Sequence, residues 1–190
     1  MGLFSIFKRN KVSLKGNVAF IGLGYAGKTT VLNRLRNNEF VEDSVRTMGL
    51  NVDAFDYNGI KFSAFDLGGQ ETFRMIWEPY VSNAIAVVYV IDSSTPELFD
   101  ESASTLHKVL SYIPSNAILL ILANKSDLAG PDTLDQIVAR FDFYTLQTKT
   151  NLARINIFYI SAKTGDQFED AFDWLAESVT KTIVLQSKGR

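Results

Sequence analysis

The sequence predicts one α/β domain, an open six-stranded sheet that is mainly parallel, with one antiparallel edge strand and helices on both faces. Two uninterrupted apolar runs, residues 85–91 and 117–122, have the composition of central strands that are covered on both faces. Residues 51–57 and 60–66 alternate apolar and polar side chains around an Asn-Gly pair at 58–59. Such a pair between alternating runs predicts a two-residue hairpin, which places one antiparallel strand at the sheet edge.

The remaining elements follow from periodicity in the same way. We expect a first strand at residues 17–22 and a last strand at 155–160. Helices are predicted at residues 28–37, 96–112, 134–140 and 166–182. Strands that alternate with helices build a parallel sheet through right-handed crossovers. No repeat or linker divides the chain, so we expect one domain at 17–190, preceded by an extension at 1–16.

The composition excludes several classes of protein. The 190 residues are 46% hydrophobic and 21% charged, which is typical of a folded domain rather than a disordered chain. The net charge of -2 gives no basic surface of the kind that nucleic-acid-binding proteins carry. The chain has no cysteine, which excludes disulfides, thiolate metal sites and cysteine nucleophiles. No apolar run approaches the roughly 18 residues that span a bilayer.

The extension at 1–16 is basic and amphipathic. Its charged residues are Lys8, Arg9, Lys11 and Lys15, with no acid among them. On a helix, the apolar side chains of Leu3, Phe4, Ile6 and Phe7 fall on one side. Such a helix can lie in a membrane interface, dock in a groove of its own domain or remain a frayed end. The myristoylation pattern is missed by one position, because Ile6 stands where a serine or threonine is needed.

A phosphate-binding loop is predicted between the first strand and the first helix. Residues 22–29, GLGYAGKT, fit G-x-x-x-x-G-K-[ST] in this context. Glycines allow successive backbone N–H groups to point at a phosphate chain. The residues expected to bind the nucleotide here are Gly22, Gly24, Tyr25, Ala26, Gly27, Lys28, Thr29 and Thr30. Lys28 would bring a positive charge to the terminal phosphates, and the Thr29 hydroxyl would ligate Mg²⁺.

A second motif, DLGGQ at 66–70, follows the hairpin. Asp66 ends a strand beside the phosphate loop, where a carboxylate can hold the metal through water. Gly69 could donate its N–H to a terminal phosphate. Gln70 is the candidate catalytic residue, because its amide can orient an attacking water by both donating and accepting hydrogen bonds. The motif is weak alone, and its place after a phosphate loop and a hairpin favours this interpretation.

A third motif, NKSD at 124–127, predicts selection of guanine. The Asp127 carboxylate can accept hydrogen bonds from the N1–H and the 2-amino group of guanine, and adenine offers no such pair. Asn124 is expected to tie this loop to the phosphate loop, and the stem of Lys125 to cover the base. Surface N-K-x-D turns are common, so the motif gains its meaning from its position after a buried strand.

The last strand is followed by Ser161, Ala162 and Lys163, whose backbone N–H groups could meet the base oxygen. All of these motifs fall at the carboxyl ends of predicted strands. Open α/β sheets bind their ligands at that edge. The order of the motifs therefore carries more weight than any single match.

Together these motifs resemble a small GTPase of the Arf/Arf-like family, over essentially the whole chain. Further matching segments are TMGLNVD at 47–53, FDLGGQ at 65–70, FDWL at 172–175 and the opening MGLFSIFK. The nineteen positions from Thr47 to Asp66 are typical of Arf relatives rather than of Ras or Rab. QETF at 70–73 and the serine-alanine-lysine at 161–163 are Rab-like, which indicates a divergent member.

The resemblance implies a P-loop NTPase fold, the G domain, and roles for further residues. Thr47 would close onto Mg²⁺ and the γ-phosphate in the GTP state. The hairpin at 50–66 would slide in register between the GDP and GTP states and displace the N-terminal helix, coupling membrane binding to GTP. Leu50, Phe65 and Tyr80 would occupy the effector-facing cluster.

The resulting prediction is a GTP-binding molecular switch that slowly hydrolyses GTP to GDP and phosphate, with GTP/GDP and Mg²⁺ bound. We expect a cytoplasmic monomer, reversibly peripheral on membranes, with a trafficking or membrane-organising role and no nucleic-acid partner. Its expected partners are an exchange factor, a GTPase-activating protein and effectors. A metabolic P-loop kinase or ATPase and a nucleotide-locked scaffold remain as alternatives.

Four other residues are given no part in the chemistry. Arg46 lies beside Thr47, so in an extended strand its side chain faces away and is not expected to assist hydrolysis. His107 is expected at the surface, and Trp77 and Trp174 are expected to be packing residues.

Overall fold

Six strands form one sheet in the part of the chain that the structure describes. The computed structural model describes residues 14–37, 40 and 49–188. The strands are β1 (Leu14–Ile21), β2 (Leu50–Tyr57), β3 (Ile60–Leu67), β4 (Ala86–Asp92), β5 (Ile118–Asn124) and β6 (Arg154–Tyr159). They lie in the order β2-β3-β1-β4-β5-β6, and only β2 pairs antiparallel. The predicted mainly parallel sheet with one antiparallel edge strand is confirmed.

Helices cover both faces of this sheet, as predicted. They are α1 (Lys28–Asn37), α2 (Glu71–Arg74), α3 (Glu78–Val81), α4 (Phe99–Val109), α5 (Thr133–Arg140), α6 (Phe143–Lys149) and α7 (Phe168–Lys188). Short 3-10 turns occupy Pro96–Leu98 and Ser126–Leu128. Val31 of α1 and Phe172 of α7 are buried in one hydrophobic cluster. Leu106 of α4 and Ile137 of α5 are buried in the cluster on the opposite face. None of the described helices is long and apolar enough to cross a membrane.

The two apolar runs form the centre of the sheet. β5 is buried along its whole length, and β4 is buried up to its last residue. Each strand is covered by helices on both faces, so burial of its valine, leucine and isoleucine side chains contributes on the order of 2 kcal/mol each. These strands fix the positions of the loops at their carboxyl ends.

Several element boundaries differ from the sequence expectation. β1 begins at Leu14 because its pairing with β3 continues back to Ile60, so residues 14–16 belong to the sheet rather than to the extension. The expected helix at 96–112 divides into a 3-10 turn and α4, which ends at Val109. α7 continues to Lys188. The short helices α2, α3 and α6 were not predicted, because four to seven residues are too few for a periodicity to register.

The β2–β3 hairpin is anchored on α7 at its tip. Asn58 and Gly59 both have positive φ, +49° and +79°, as the predicted two-residue turn requires. The Tyr57 hydroxyl and the Asn58 amide both donate to Asp173 Oδ1, at 2.9 and 2.8 Å. Burial, more than the hydrogen bond to Asp173, raises the pKa of Tyr57. The tip therefore contacts the last helix although more than a hundred residues separate them.

The two tryptophans are packing residues and His107 is exposed, as expected. Trp77 is fully buried, and its Nε1–H donates to the Gly68 carbonyl at 3.0 Å. That bond connects the start of α3 to the loop after β3. Trp174 is partly buried, with its ring centroid 6.2 Å from that of Phe158. His107 lies on the solvent side of α4.

Candidate functional site

The loop between β1 and α1 has a shape that only glycine permits at two positions. Gly22 has a φ of +140°, and a Cβ there would lie 2.2 Å from the Val90 carbonyl oxygen. Gly27 has a φ of +92°, and a Cβ there would lie 2.4 Å from Asn124 Nδ2. Tyr25 also has a positive φ, +65°, and is 68% exposed. The loop thus takes the curled conformation that turns backbone N–H groups toward an anion.

Lys28 is buried at the first position of α1. Its ammonium donates to the carbonyl oxygens of Leu23 and Gly22, at 2.8 and 3.2 Å. Burial lowers the pKa of Lys28 to about 8, an effect that Asp66 opposes and Arg74 reinforces. A phosphate chain in the loop would restore the charged form, because an anion favours the ammonium.

This pKa predicts that nucleotide affinity falls as the pH rises. Below pH 8 the free protein carries a charged Lys28, whereas above it the protein must take up a proton when the phosphates bind. We therefore expect the affinity for GDP to fall roughly tenfold between pH 7 and pH 9. Fluorescence titration with GDP in magnesium buffer measures this affinity at each pH. The Lys28→Met variant should bind GDP more weakly, with an affinity that does not change with pH. It therefore controls for titration of the nucleotide itself. An equally flat profile for the wild-type protein would contradict the prediction.

The candidate metal ligands of the described residues lie together. The Thr29 hydroxyl donates to Asp66 Oδ2 at 2.7 Å, although the two residues belong to α1 and β3. Asp66 is almost completely buried. A hydroxyl and a carboxylate oxygen suit Mg²⁺, which prefers hard oxygen donors and completes its shell with phosphates and water. These residues therefore fit the predicted metal. Thr47 and Arg46 lie outside the described residues, as do residues 1–13 of the extension.

The loop after β3 lies directly against the phosphate loop. A Cβ on Gly69 would lie 2.4 Å from the Gly22 carbonyl oxygen, so a side chain there would force the two loops apart. Gln70 comes next in the chain, immediately before α2. Gly24, Gly69 and Gln70 are among the residues that line a cavity of about 270 Å³. The candidate catalytic residue is thus beside the phosphate loop, as the motif predicts.

Arg74 lies in the same cavity and was not singled out from the sequence. Its Nε donates to the Gly69 carbonyl at 3.3 Å, and its Nη2 pairs with Glu101 Oε1 at 2.6 Å. The guanidinium therefore joins the loop after β3 to α4. No sequence signal marks it, because Glu101 is 27 positions away on another helix.

At the other end of the site, Asn124 joins three loops. Its Nδ2 donates to the Ala26 carbonyl at 2.9 Å, and its Oδ1 accepts from the Ala162 N–H at 3.0 Å. The predicted tie between the NKSD motif and the phosphate loop is present. The Ala162 N–H thus connects the loop after β6 to the same side chain. Asn124 is buried, so both bonds are shielded from water.

The Asp127 carboxylate is held in place by the loop after β6. Ser161 Oγ donates to Asp127 Oδ1 at 2.6 Å, and the Thr164 N–H donates to Ser161 Oγ at 3.0 Å. Asp127 itself is exposed, as a group that receives a base must be. Lys125, at a φ of +65°, forms an ion pair with Asp92 at 2.6 Å, which fixes the start of its loop.

The remaining predicted residues take positions that agree with the motifs. Thr30 lies half-buried in the first turn of α1, and Lys163 is exposed at the end of the serine-alanine-lysine loop. The rings of Phe65 and Tyr80 lie 5.1 Å apart, and Leu50 packs against the same core cluster. The resemblance named these three side chains as one cluster, and the fold places all three against the same hydrophobic core, with Phe65 and Tyr80 in contact.

The phosphate loop, the Thr29–Asp66 pair and Asp127 thus all lie at the carboxyl edge of the sheet. The sequence model of the ADP-ribosylation factor family matches residues 3–179. This chain belongs to the ADP-ribosylation factor (Arf) family. It is a small GTPase, a GTP-binding switch of the kind that the sequence resembles, and this replaces the alternative of a metabolic kinase or ATPase.

Relatives of this Arf-family protein match it over nearly their whole length. ADP-ribosylation factor-like protein 1 of Caenorhabditis elegans is 35% identical over 179 residues, covering 94% of this chain and 97% of the relative. The protein of the same name from Drosophila melanogaster has the same identity and coverage. ADP-ribosylation factor 3 of Arabidopsis thaliana is 34% identical and covers 92% of this chain and 96% of its own length.

A solved structure shares the fold. The Arl6 (BBS3) small GTPase from Trypanosoma brucei, solved with the nucleotide analogue GppNp, superposes with a TM-score of 0.77 at 30% sequence identity. The match covers 88% of this Arf-family chain and 99% of the other. The G-domain fold that the resemblance implies is therefore confirmed.

Proposed function

We propose that this Arf-family GTPase is a membrane-associated switch with a trafficking or membrane-organising role, which binds GTP with Mg²⁺ and hydrolyses it slowly. Two side-chain pairs at the carboxyl edge of the sheet carry the nucleotide part of the proposal. Thr29 pairs with Asp66, and Ser161 pairs with Asp127. The first pair suits a metal and phosphates, and the second suits a guanine base.

Gln70 is the proposed catalytic residue. In the reaction, water attacks the γ-phosphorus, the bond from that phosphorus to the β-γ bridging oxygen breaks, and GDP leaves as phosphate forms. Gln70 orients the water with its amide. Lys28 and the N–H groups of the phosphate loop stabilise the negative charge that shifts to the bridging and γ oxygens.

Thr29, Asp66 and Thr47 are the proposed magnesium ligands, Asp66 acting through water. When bound, the metal supplies positive charge to the β- and γ-phosphate oxygens. With no arginine supplied by a partner, we expect unaided turnover on the order of 10⁻⁴ to 10⁻² per second. An exchange factor, an activating protein and effectors would then set the timing of the switch for a cytoplasmic monomer.

The membrane part of the proposal rests on the sequence of the extension. Leu3, Phe4, Ile6 and Phe7 form an apolar stripe beside basic residues, the pattern of a helix that lies in a membrane interface. A single short helix binds weakly without a second signal. Basic residues that attract anionic lipid supply that signal here.

Liposome sedimentation tests this part directly. The protein loaded with a GTP analogue is expected to bind anionic liposomes several-fold more than the GDP-loaded protein, because the stripe must be released to insert. Removing residues 1–13, which ends before β1 begins at Leu14, should abolish the difference. Phe4→Glu should act like the deletion, whereas Ser5→Ala should not. Equal binding in both nucleotide states, or none in either, would contradict the membrane proposal.

A further inference from the structure

Arg34, on α1, reaches from the phosphate-loop helix to the loop that follows β6. Its Nη1 donates to the carbonyl oxygens of Ala162 and Lys163, both at 3.0 Å. Its Cζ lies 5.4 Å from the centroid of the Phe168 ring, at the start of α7. A Cβ on Gly165 would lie 2.4 Å from Arg34 Nη2. The guanidinium therefore lies against this loop and over the ring beside it.

The two carbonyls that Arg34 holds belong to the two peptide units on either side of Lys163. In a trans peptide unit the C=O and the N–H point in opposite directions, and the described residues contain no cis peptide bond. Holding the Ala162 carbonyl thus directs the Lys163 N–H away from Arg34. Within the described part of the chain that N–H makes no hydrogen bond, whereas the Ala162 N–H is bound to Asn124. The Lys163 N–H is therefore available to a base in the site.

The second carbonyl connects Arg34 to the acidic side chain of the site. The unit that contains the Lys163 carbonyl also contains the Thr164 N–H, which donates to Ser161 Oγ. Ser161 Oγ in turn donates to Asp127 Oδ1 at 2.6 Å. A single guanidinium thus fixes the peptide unit that presents the Lys163 N–H and the unit that supports Asp127. A charged donor between two carbonyls is a stronger constraint than a neutral hydrogen bond.

We propose that Arg34 is a positioning residue for guanine recognition, which orients the Lys163 N–H toward the 6-oxo group of the base and supports Asp127. The inference rests on the proposed function, since it requires guanine to lie between Asp127 and the loop after β6. Arg34 itself does not contact the base. It acts through the loop, and it couples the helix that carries Lys28 to the end of the site that selects the purine.

The chain offers a matched control two residues along the same helix. Arg36 is exposed and pairs with Asp53 rather than with the loop after β6. Arg34→Met keeps the apolar stem and removes the donors, and Arg36→Met makes the same chemical change at the control position. Arg34→Lys restores a positive charge without the planar group that stacks on Phe168, and serves as a partial rescue.

The test measures dissociation of fluorescent GDP from the full-length protein with Mg²⁺, and competition by GDP and ADP up to millimolar concentrations. We expect Arg34→Met to release GDP about tenfold faster than Arg36→Met, because hydrogen bonds from a charged donor are lost. The preference for GDP over ADP should fall by the same factor. The GDP dissociation rate of Arg34→Lys should lie between those of Arg34→Met and Arg36→Met.

Two results would overturn the inference while leaving the proposed function intact. The first is a GDP dissociation rate for Arg34→Met equal to that of Arg36→Met. The second is an equal loss of affinity for GDP and ADP, which indicates a general loosening of α1. A wild-type protein with no preference for GDP over ADP would overturn the proposed function and this inference together.

Discussion

Asp127→Asn is expected to change the base preference of this GTPase from guanine to xanthine. Ser161 Oγ holds Asp127 Oδ1, so the amide nitrogen of an asparagine would take the place of the oxygen that is left for the base. There it would repel the 2-amino group of guanine and donate to the 2-oxo group of xanthine. We expect the affinity for GTP to fall about a hundredfold or more, because buried donors are left unpaired, and the affinity for XTP to rise.

Competition of GTP and XTP for the purified variant measures this change. Asp132→Asn is a suitable control, because Asp132 is also exposed and lies five residues further along. It should leave both affinities unchanged. If Asp127→Asn retained the wild-type preference for GTP, the base would not be read by this carboxylate.

Gln70→Leu is expected to slow hydrolysis while GTP still binds. Leucine has a similar volume but no amide to orient a water, and misplacement of an attacking group costs on the order of a hundredfold in rate. The residue lies beside Gly69 and Gly24 in the cavity at the phosphate loop, away from Asp127. Its loss should therefore affect the rate of phosphate release and not the choice of base.

Single-turnover phosphate release from protein preloaded with GTP measures the effect. Glu71→Gln, at the exposed neighbouring position, should hydrolyse GTP at the wild-type rate. Arg46→Ala should do the same, because its side chain is expected to face away from the γ-phosphate. Rapid unaided turnover that collapsed with Arg46→Ala and persisted with Gln70→Leu would assign the catalytic role to the arginine.

Local patterns predicted most of the fold. The Asn-Gly pair specified the hairpin because its two positive φ values are a property of two adjacent residues. The uninterrupted apolar runs specified β4 and β5 because a strand that is covered on both faces has no polar side. The phosphate loop could be recognised since its glycines, lysine and threonine are consecutive in sequence.

Contacts between distant residues could not be predicted in this way. The bond from Arg34 to the Ala162 carbonyl joins residues 128 positions apart, and the bond from Tyr57 to Asp173 joins residues 116 apart. Nothing in the pattern of α1 distinguishes Arg34 from Arg36, although only Arg34 reaches the loop after β6. The hydrogen bond from the Ala162 N–H to Asn124 likewise depends on the distance between two loops, which no motif records.

The proposed site at the carboxyl edge of the sheet binds a magnesium nucleotide through the phosphate loop and selects guanine through Asp127. Competition of GTP against ATP for the nucleotide-stripped, full-length protein with Mg²⁺ tests it most directly. We predict that GTP displaces a fluorescent guanine nucleotide at concentrations at least about a thousandfold lower than ATP does. Equal displacement by ATP and GTP, or displacement by neither, would contradict the account.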